Sequence, residues 1–387
     1  MKVLFLTHSF PRFIGDAPGS FLLRLAVALR DVGVEVRVVA PSGADVSESE
    51  ELDGIHVERF RYAPRRLETL AYTGNMAQDV AGSWGAKIAL AGMLAAEYSS
   101  ASTEKRKFRP DVVHAHWWFP SGLVASSMSL GKTPLVTTLH GTDVRLARKI
   151  SMSRPAFRRV MRKSARVTTV SSWLAGEVSA LSADVQPIVA PMPVATERFH
   201  PQGSREQNRF LFAGRLNAQK GLDHLLRGFA SMKGLAMLDV VGEGASANEL
   251  RLLASQLGVS DRIQWHGQLN QRDLVKLYQA ATAVVVPSTD EGLGLVAAEA
   301  LLCETPVIAF RSGGLTDVIE DGRTGILVTP GATAELAAAL DTVLESREHA
   351  ARLARQGREF VLTTFSPESA AARYANIYRK AVEERAA

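Results

Sequence analysis

Two glutamates that follow a short apolar run could together bind the hydroxyl groups of a sugar. Val284–Val286 is β-branched, which is typical of a strand buried on both faces, and Leu295–Leu302 has an apolar helical pattern. Glu291 lies in the loop between them, and Glu299 lies eight positions later in the predicted helix. An ordinary turn with two solvated glutamates would have the same pattern, so both interpretations stay open here.

The same loop ends in a glycine-rich helix start that suits phosphate groups. Gly292 and Gly294 precede the predicted helix, and glycine lets a ligand approach the main chain closely. The backbone N–H groups of Gly294, Leu295 and Val296 are expected to face outward at the positive end of the helix dipole. A nucleotide sugar has both the phosphates and the hydroxyl groups that this loop would bind.

A second loop contains two cations after another apolar run. Gly214, Arg215, Lys220 and Gly221 follow Phe210–Ala213 and precede a helical pattern. Two fixed cations would bind a diphosphate and neutralise the charge that it gains as it leaves. The two loops together are much more specific than either one alone.

The composition is typical of a globular protein with two domains. The chain has 387 residues, of which 46% are hydrophobic and 22% are charged. The formal net charge of +5 fits an anionic ligand or an acidic membrane surface, whereas the scattered basic residues argue against a nucleic-acid partner. The single cysteine, Cys303, excludes an intramolecular disulfide and a cysteine metal cluster.

The apolar run Val3–Leu6 is too short for the core of a signal peptide, and no run approaches the roughly 18 residues of a membrane span. We therefore expect a cytoplasmic protein. A basic cluster before a helical stretch of small residues around Ala81–Ala96 can mark peripheral contact with the anionic inner face of a membrane, and more often it is a solvated surface. A charged run at Glu104–Lys107 is expected to end this helix. The cluster consists of Arg59, Arg61, Arg65 and Arg66.

Strand and helix patterns alternate through both halves of the chain, which predicts an α/β fold with parallel, doubly wound sheets. We expect an N-terminal Rossmann-like acceptor domain over 1–195 and a C-terminal donor domain over 196–365. A final helix over 366–387 is expected to pack back on the N-terminal domain. The predicted strands are Val3–Leu6, Val34–Ala40, Val112–His116, Leu135–Thr138, Val167–Val170, Pro187–Val189, Phe210–Ala213, Ala236–Val241, Ile263–His266, Ala283–Val286, Val307–Phe310 and Gly325–Val328.

The loop Thr7–Ser20 follows the first strand and is loosened by glycine before a helix begins. We expect a phosphate or sugar at the helix start beyond Gly19, and an acceptor contact at Arg12. A plain connecting loop is the alternative interpretation.

Aromatic side chains end another strand of the first domain. His116, Trp117 and Trp118 are expected to contact an acceptor, because paired tryptophans suit stacking on a sugar ring. His114 lies inside the apolar run and is expected to be a core histidine with its hydrogen bonds satisfied.

The next strand ends in His140, Gly141, Thr142 and Asp143. An imidazole at this position is well placed to meet a reacting group, and Asp143 is near enough to orient it and to contact an acceptor.

These motifs resemble those of the retaining glycosyltransferases of family 4, whose GT-B fold has two Rossmann-like domains with parallel sheets facing a central cleft. Across the second domain the matching motifs are Gly-Arg-Leu…Lys-Gly, Glu-x7-Glu with an inner Gly-Leu-Gly-Leu-Val, and Ser312-Gly313-Gly314…Glu320-Asp321-Gly322…Gly325. The first domain is matched by its opening glycine loop and by His140-Gly141.

The resemblance implies a role for each matched residue. Arg215 and Lys220 would bind the diphosphate of the donor, and Glu291 would contact the hydroxyls of the donor sugar. Glu299 would contact the ribose hydroxyls, and His140 would lie beside the reacting sugar.

One competing motif fits a dinucleotide site. Gly242, Gly244 and Ala247 match G-x-G-x-x-A between a strand and a helix, with Asp261 near the expected acidic position. A dehydrogenase has this fingerprint in the first βα unit of its domain, whereas here it lies in the second. In the family resembled, the loop at Gly242 borders the nucleotide pocket, and the main chain near His266 faces the base.

The expected reaction is transfer of a hexose from a UDP-, GDP- or ADP-sugar to a hydroxyl acceptor, with retention implied by the resemblance. No Asp-x-Asp motif occurs, so we expect protein cations in place of a metal and no cofactor beyond the donor. The acceptor could be a glycan, a lipid-linked sugar or a small molecule. A retaining sugar phosphorylase on the same fold and a non-catalytic sugar- or nucleotide-binding protein are the alternatives.

Overall fold

The structure is a computed structural model that describes residues 1–43, 46–72, 76–203, 205–206 and 208–386. The chain divides into two units. The first consists of Met1–Pro193 with Pro367–Ala387, and the second consists of Val194–Ser366. Each unit contains one sheet that is parallel or nearly so, which confirms the predicted α/β class with two parallel-sheet domains.

The elements of the first unit alternate between strand and helix over most of its length. They are β1 (Lys2–Leu6), α1 (Ser20–Asp31), β2 (Glu35–Pro41), β3 (Ser49–Leu52), β4 (Ile55–Phe60), α2 (Met76–Gly82), α3 (Trp84–Phe108), β5 (Val112–His116), α4 (Leu123–Ser127), β6 (Leu135–Leu139), α5 (Thr142–Lys149), α6 (Arg154–Lys163), β7 (Arg166–Thr169), α7 (Ser172–Leu181) and β8 (Ile188–Val189).

The sheet of the first unit has the strand order β3-β4-β2-β1-β5-β6-β7-β8. All neighbouring strands run parallel except β3, which pairs antiparallel with β4 at one edge. Every residue of β5 and β6 is buried, as expected for central strands covered by helices on both faces.

Helix α3 is longer than the sequence predicted. The charged run at its end was expected to terminate it, but the helix continues to Phe108 and closes at Arg109, whose φ is 51°. Within this run Glu104 is buried and pairs with Arg37 and Lys107, so its charge is compensated inside the fold. Basic side chains in a last helical turn also interact favourably with the helix dipole.

The second unit repeats the alternation. Its elements are β9 (Arg209–Ala213), α8 (Leu222–Ser231), β10 (Met237–Val241), α9 (Ala247–Gln256), β11 (Ile263–Gly267), α10 (Gln271–Ala280), β12 (Ala283–Val286), α11 (Leu295–Leu302), β13 (Val307–Phe310), α12 (Leu315–Val318), β14 (Ile326–Val328), α13 (Thr333–Glu345) and α14 (Arg347–Phe365).

The sheet of the second unit has the order β11-β10-β9-β12-β13-β14, and its strands pair in parallel. This is the strand order of a complete Rossmann sheet. Phe210 and Phe212 of β9 lie in one buried cluster with Leu225 and Phe229 of α8 and with Ile308 of β13. The core therefore fixes the strands whose ends carry the predicted donor residues.

The C-terminal helix α15 (Pro367–Ala386) belongs to the first unit. It begins with a proline, which suits a first helical position because no intrahelical N–H bond is needed there. Tyr374 and Tyr378 are fully buried and reach Thr138 and His114 of the first sheet.

Across the described ranges, none of the helices combines the length and the apolar character that crossing a bilayer would require.

Candidate active site

The second sheet reverses its direction of winding between β9 and β12, which are neighbours in its centre. In open parallel sheets, ligands bind beyond the carboxyl ends of the strands at such a reversal. The loop after β9 carries Lys220 and the loop after β12 carries Glu291. Topology alone therefore brings the two predicted donor loops together.

Lys220 and Glu291 form an ion pair at this point. Lys220 Nζ donates to Glu291 Oε2 at 2.8 Å, and the two side chains are 21% and 18% exposed. The pair is partly screened from water yet open on one side, so a ligand can reach both groups. An ammonium and a carboxylate at this separation can bind a phosphate and a sugar hydroxyl of one molecule.

Close backbone packing explains two of the glycines around the pair. A β-carbon on Gly221 would lie 2.1 Å from the carbonyl oxygen of Pro287, and Gly221 has a φ of 66°. A β-carbon on Gly313 would lie 2.4 Å from the carbonyl oxygen of Glu291. The loops after β9, β12 and β13 are therefore in direct contact through their main chains, which holds Lys220 and Glu291 in place.

The glycines before α11, in the same loop as Glu291, also allow close packing of the main chain. Gly294 is the N-cap and has a φ of 93°, and a β-carbon on Gly314 would lie 2.3 Å from the carbonyl oxygen of Gly292. The N–H groups of Leu295 and Val296 lie in the first helical turn, where no intrahelical acceptor exists. This helix start is suited to an anion, as the sequence predicted.

Of the other two predicted donor residues, Glu299 is half-buried and Arg215 is exposed. The Oε2 of Glu299 accepts a hydrogen bond from the buried Tyr278 hydroxyl at 3.1 Å. Burial, with the neighbouring Glu299 charge, raises the pKa of Tyr278 well above its usual value, so the phenol remains a donor. The Arg215 side chain is exposed, and within the described part of the chain its guanidinium forms no ion pair or hydrogen bond.

The dinucleotide-like motif has a structural explanation. A β-carbon on Gly242 would lie 1.9 Å from the carbonyl oxygen of Gly214, and one on Gly244 would lie 2.3 Å from that of Leu216. These glycines therefore let the loop after β10 pack against the loop after β9. Their spacing is accounted for without a bound dinucleotide.

His266 is tied to the neighbouring strand. Its Nε2 lies 2.6 Å from Asp239 Oδ1, and Arg209 Nη2 donates to the same carboxylate at 2.8 Å. The imidazole is thus held by a buried acid. Any contact of this residue with a nucleotide base would come from its main chain, as the resemblance implies.

In the first unit the sheet reverses between β1 and β5. The loop after β1 is ordered by Arg12, whose Nε donates to Asp16 Oδ2 at 2.7 Å. A β-carbon on Gly19 would lie 2.5 Å from the carbonyl oxygen of Ser9, so the loop folds tightly onto the start of α1. Gly19 lies at the expected helix start, and Arg12 is half-buried against its own loop.

His114 is a core histidine, as the sequence predicted. Its Nδ1 lies 2.7 Å from the Tyr378 hydroxyl, and its Nε2 lies 2.6 Å from Thr138 Oγ1. Burial, with the nearby His140 ring, lowers the pKa of His114 well below its usual value, so the ring is neutral.

Three histidines and a tryptophan meet where β1, β5 and β6 end. His116 Nδ1 lies 3.3 Å from His140 Nε2. The Trp117 ring lies 4.2 Å from the His140 ring and 4.4 Å from the His8 ring, between centroids. Burial lowers the pKa of His140 well below its usual value, and the His116 and His8 rings add to this effect. His140 is therefore a neutral imidazole near neutral pH, with one ring nitrogen that can donate a hydrogen bond and one that can accept it.

Four of the residues predicted to contact an acceptor are buried, among them Trp117 at 8% exposure, and acceptor contact stays a prediction for them. His116 and Trp118 are 0% and 1% exposed, and Asp143 is 4% exposed. The Trp118 indole packs in the core with its Nε1 donating to the Asp143 carbonyl at 2.7 Å. Asp143 Oδ1 accepts from the N–H groups of His140 and Gly141 at 3.1 and 3.0 Å, so it holds the loop by its backbone and does not orient the ring.

The predicted basic cluster is also corrected. The side chain of Arg59 is 0% exposed and pairs with Glu50, and it donates to the Phe10 carbonyl at 3.3 Å. Arg61 pairs with Glu68 at 2.9 Å. Arg61, Arg65 and Arg66 are exposed, so three of the four arginines remain on the surface and only Arg59 is buried.

Two residues near the sites were missed by the sequence argument. Tyr278 anchors Glu299 from α10, and no motif marks it because its helix precedes the strand that leads to the site. His8 lies two residues after the end of β1 and makes an edge-to-face contact with Trp117, and its position at a strand end next to a sheet reversal was a usable signal.

The chain belongs to the glycosyltransferases of the GT-B fold and the family 4 type, as the resemblance predicted. Residues 194–360 match the family model "Glycosyl transferases group 1", and residues 17–191 match the "Glycosyl transferase 4-like domain". It is therefore a glycosyltransferase, with each family domain corresponding to one of the two sheets.

Among known proteins the chain is 31% identical to a D-inositol 3-phosphate glycosyltransferase of Xylanimonas cellulosilytica, over 96% of this chain and 94% of that protein. Among solved structures it is similar to sucrose-phosphate synthase from Thermosynechococcus elongatus, with a TM-score of 0.80, 22% identity and coverage of 98% and 99%. It is also similar to Anabaena HepE in complex with UDP-glucose, with a TM-score of 0.72, 20% identity and coverage of 98% and 100%.

Proposed function

We propose that this glycosyltransferase moves a hexose from a nucleoside-diphosphate sugar to a hydroxyl acceptor, with retention at the anomeric carbon and without a metal ion. The observation on which the proposal mainly depends is the Lys220–Glu291 pair at the reversal point of a Rossmann sheet. It places one cation and one carboxylate side by side next to a glycine-capped helix start. A sugar diphosphate has the complementary groups, because its phosphates can bind the cation and the helix start while its sugar hydroxyls donate to the carboxylate.

In this proposal the donor replaces the contact between Lys220 and Glu291. The diphosphate attracts Lys220, and the exposed Arg215 side chain closes over the same phosphates. The sugar hydroxyls donate to Glu291, while Glu299, held by Tyr278, accepts from the ribose hydroxyls. The phosphates then contact cations, and the sugar and ribose hydroxyls donate to carboxylates.

The chemical step follows from this charge arrangement. The bond between the anomeric carbon and the phosphate oxygen breaks, and the leaving diphosphate takes the electron pair. Lys220, Arg215 and the start of α11 stabilise the negative charge that develops. The acceptor oxygen attacks from the same side and gives its proton to the departing phosphate oxygen, which retains the configuration.

One of the similar solved structures contains a donor of this class, which supports the proposal. HepE was solved with UDP-glucose, and the Xylanimonas relative is named for transfer involving an inositol phosphate. The donor loops of this chain contain the set of amides and carboxylates that any of several hexoses would satisfy, so the proposal names the class of donor and not one sugar.

A thermal-shift screen with UDP, GDP and ADP and their glucose, mannose and galactose derivatives tests the proposal, because a ligand that binds the folded state raises the unfolding temperature. We expect one nucleotide series to stabilise the protein, with the same shift in the presence of EDTA. Release of a sugar phosphate that requires inorganic phosphate and no nucleotide would instead indicate a phosphorylase. Binding without transfer to any hydroxyl acceptor or to water would indicate a binding protein.

A further inference from the structure

Helix α3 has apolar residues on both of its sides. Toward the sheet it buries Ala86, Ala89, Met93 and Ala101. On the opposite side it carries a row that we call the outer stripe. The outer stripe consists of Trp84, Ile88, Ala91, Ala95 and Tyr98, all exposed. A helix that is apolar all round is normally covered on every side, so the outer stripe is a surface without its partner.

The spacing places the outer stripe on one face. Its members are separated by four, three, four and three positions, which is the helical repeat. The large side chains are the most exposed, with Trp84 at 78%, Ile88 at 68% and Tyr98 at 43%. At 1.5 Å per residue the stripe runs for about 21 Å.

Cations lie at the start of the outer stripe and beyond its end, and one partly exposed acid, Asp79, lines the same surface hollow as Arg66 and Gly85. The two acids of α3, Glu97 and Glu104, are both buried. Near the start of the stripe Lys87 Nζ lies 4.4 Å from the Trp84 ring centroid, and Lys105 and Arg106 follow on the same helix about two turns beyond Tyr98.

Two more arginines lie beside the start of the stripe. Arg65 and Arg66 are exposed, and Leu67, which follows them, comes within 3.8 Å of the β-carbon position of Gly85. Both ends of the outer stripe are therefore basic, and its middle is apolar.

We infer that the outer stripe docks on the surface of an anionic phospholipid bilayer, with α3 lying in the plane of the interface. An exposed aromatic and aliphatic row flanked by Lys and Arg is the composition of an interfacial helix. A second copy of the chain is disfavoured because both ends are basic, so parallel and antiparallel pairing would each bring cations together. Anionic headgroups neutralise both ends at once.

Cosedimentation with vesicles tests this inference without using activity. The full chain is mixed with vesicles of phosphatidylcholine alone or of phosphatidylcholine with phosphatidylglycerol. The apolar variant combines Trp84→Gln with Ile88→Gln, and the charge variant combines Lys105→Gln with Arg106→Gln. A matched control combines Leu235→Gln with Leu252→Gln, which are 79% and 61% exposed in the second unit.

We expect the unaltered chain and the control to sediment with the mixed vesicles and not with phosphatidylcholine alone. The apolar variant should bind at least about tenfold more weakly. The charge variant should lose about fivefold for each cation removed, and added salt should have the same effect. Equal unfolding temperatures would show that the variants remain folded.

Three results would overturn the inference. The first is that the unaltered chain stays in the supernatant with anionic vesicles. The second is that the apolar variant binds as tightly as the control. The third is a dimer in sedimentation velocity that the apolar variant dissociates, because this would assign the outer stripe to a second copy of the chain.

Discussion

Lys220 Nζ lies 2.8 Å from Glu291 Oε2, although 70 residues separate the two in sequence. The contact forms because β9 and β12 are neighbours at the reversal point of the second sheet, and the loop beyond each strand contributes one of the two residues. Strand order, and not sequence proximity, thus creates a paired cation and acid. The account of the donor site depends on this relationship.

Replacing Lys220 by alanine should reduce the rate of transfer strongly. The leaving diphosphate would lose its contact with a fixed positive charge, and this contact is stronger in the transition state than in the ground state. The value of kcat/KM should therefore fall by about 100-fold or more. Steady-state release of the nucleotide measures the effect. Lys276→Ala is a matched control, because Lys276 also pairs with an acid, Asp273, at 2.9 Å in the same unit. Equal rates in the two variants would contradict the phosphate role.

Gly221→Ala should destabilise the second unit more than a glycine substitution in open space. The new methyl group would lie 2.1 Å from the Pro287 carbonyl oxygen, so the donor loops would have to separate. Gly258 has a similar φ of 70°, against 66° for Gly221, and its β-carbon position has no heavy atom within 4 Å. Gly258→Ala therefore measures the cost of the left-handed backbone alone, about 1 kcal/mol.

Urea unfolding of the two variants separates these costs. We expect Gly221→Ala to lose about 2 kcal/mol beyond the loss in Gly258→Ala, from steric overlap. It should also weaken nucleotide binding, whereas Gly258→Ala should not. Equal losses in the two variants would mean that the loops do not depend on this close approach.

The contribution of His8 to stability should fall as the pH drops from about 6.5 to 4. Burial lowers the pKa of His8 to about 4, so the unfolded chain binds a proton in this range that the folded chain does not. The stabilising contribution of the neutral His8 ring is complete above the pKa of His8 in the unfolded chain, and it is lost as the pH falls through the pKa in the folded chain. The loss at pH 4 is roughly 3 kcal/mol for this residue. His8→Phe keeps an aromatic ring against Trp117 and should reduce the slope of unfolding free energy against pH.

Glu97 should have the opposite pH dependence. Burial raises its pKa to about 7, the Ser121 hydroxyl opposes the shift, and neither carboxylate oxygen forms a hydrogen bond of ordinary geometry within the described ranges. Since the folded pKa is the higher one, this group stabilises the fold at low pH, and that contribution is lost as pH rises through 7. Glu97→Gln removes the ionisation and should stabilise the protein by about 3 kcal/mol at pH 8 but only about 1 kcal/mol at pH 5. Denaturant titrations at both pH values check this, and an equal effect at each pH would contradict it.

The sequence predicted the strands and the helix around the two proposed donor loops well, because short-range patterns determine these elements. A β-branched strand, a glycine loop and an apolar helix appear in order along the chain, and β9, β12 and α11 lie where these patterns indicated. The sequence did not show why individual positions must be glycine. Gly242 looks like a phosphate-binding glycine in sequence, yet it must be glycine because a side chain there would overlap the Gly214 carbonyl oxygen.

The first unit was harder to predict because side-chain direction at a strand end depends on tertiary packing. Trp117 has a φ of 65°, and Trp118, the next residue, packs in the core against Phe157. No sequence spacing distinguishes that arrangement from two tryptophans facing an acceptor. The burial of Arg59 likewise depends on Glu50 and on carbonyl groups of a distant loop.

Isothermal titration of UDP, GDP and ADP into the unaltered protein, Lys220→Ala and Lys276→Ala tests whether Lys220 binds the diphosphate. One nucleoside diphosphate should bind the unaltered protein and Lys276→Ala equally. Binding should be at least about tenfold weaker in Lys220→Ala, because a charge-assisted contact with the phosphates is lost. Undiminished affinity in Lys220→Ala, or no binding of any of the three to the unaltered protein, would contradict this role of Lys220.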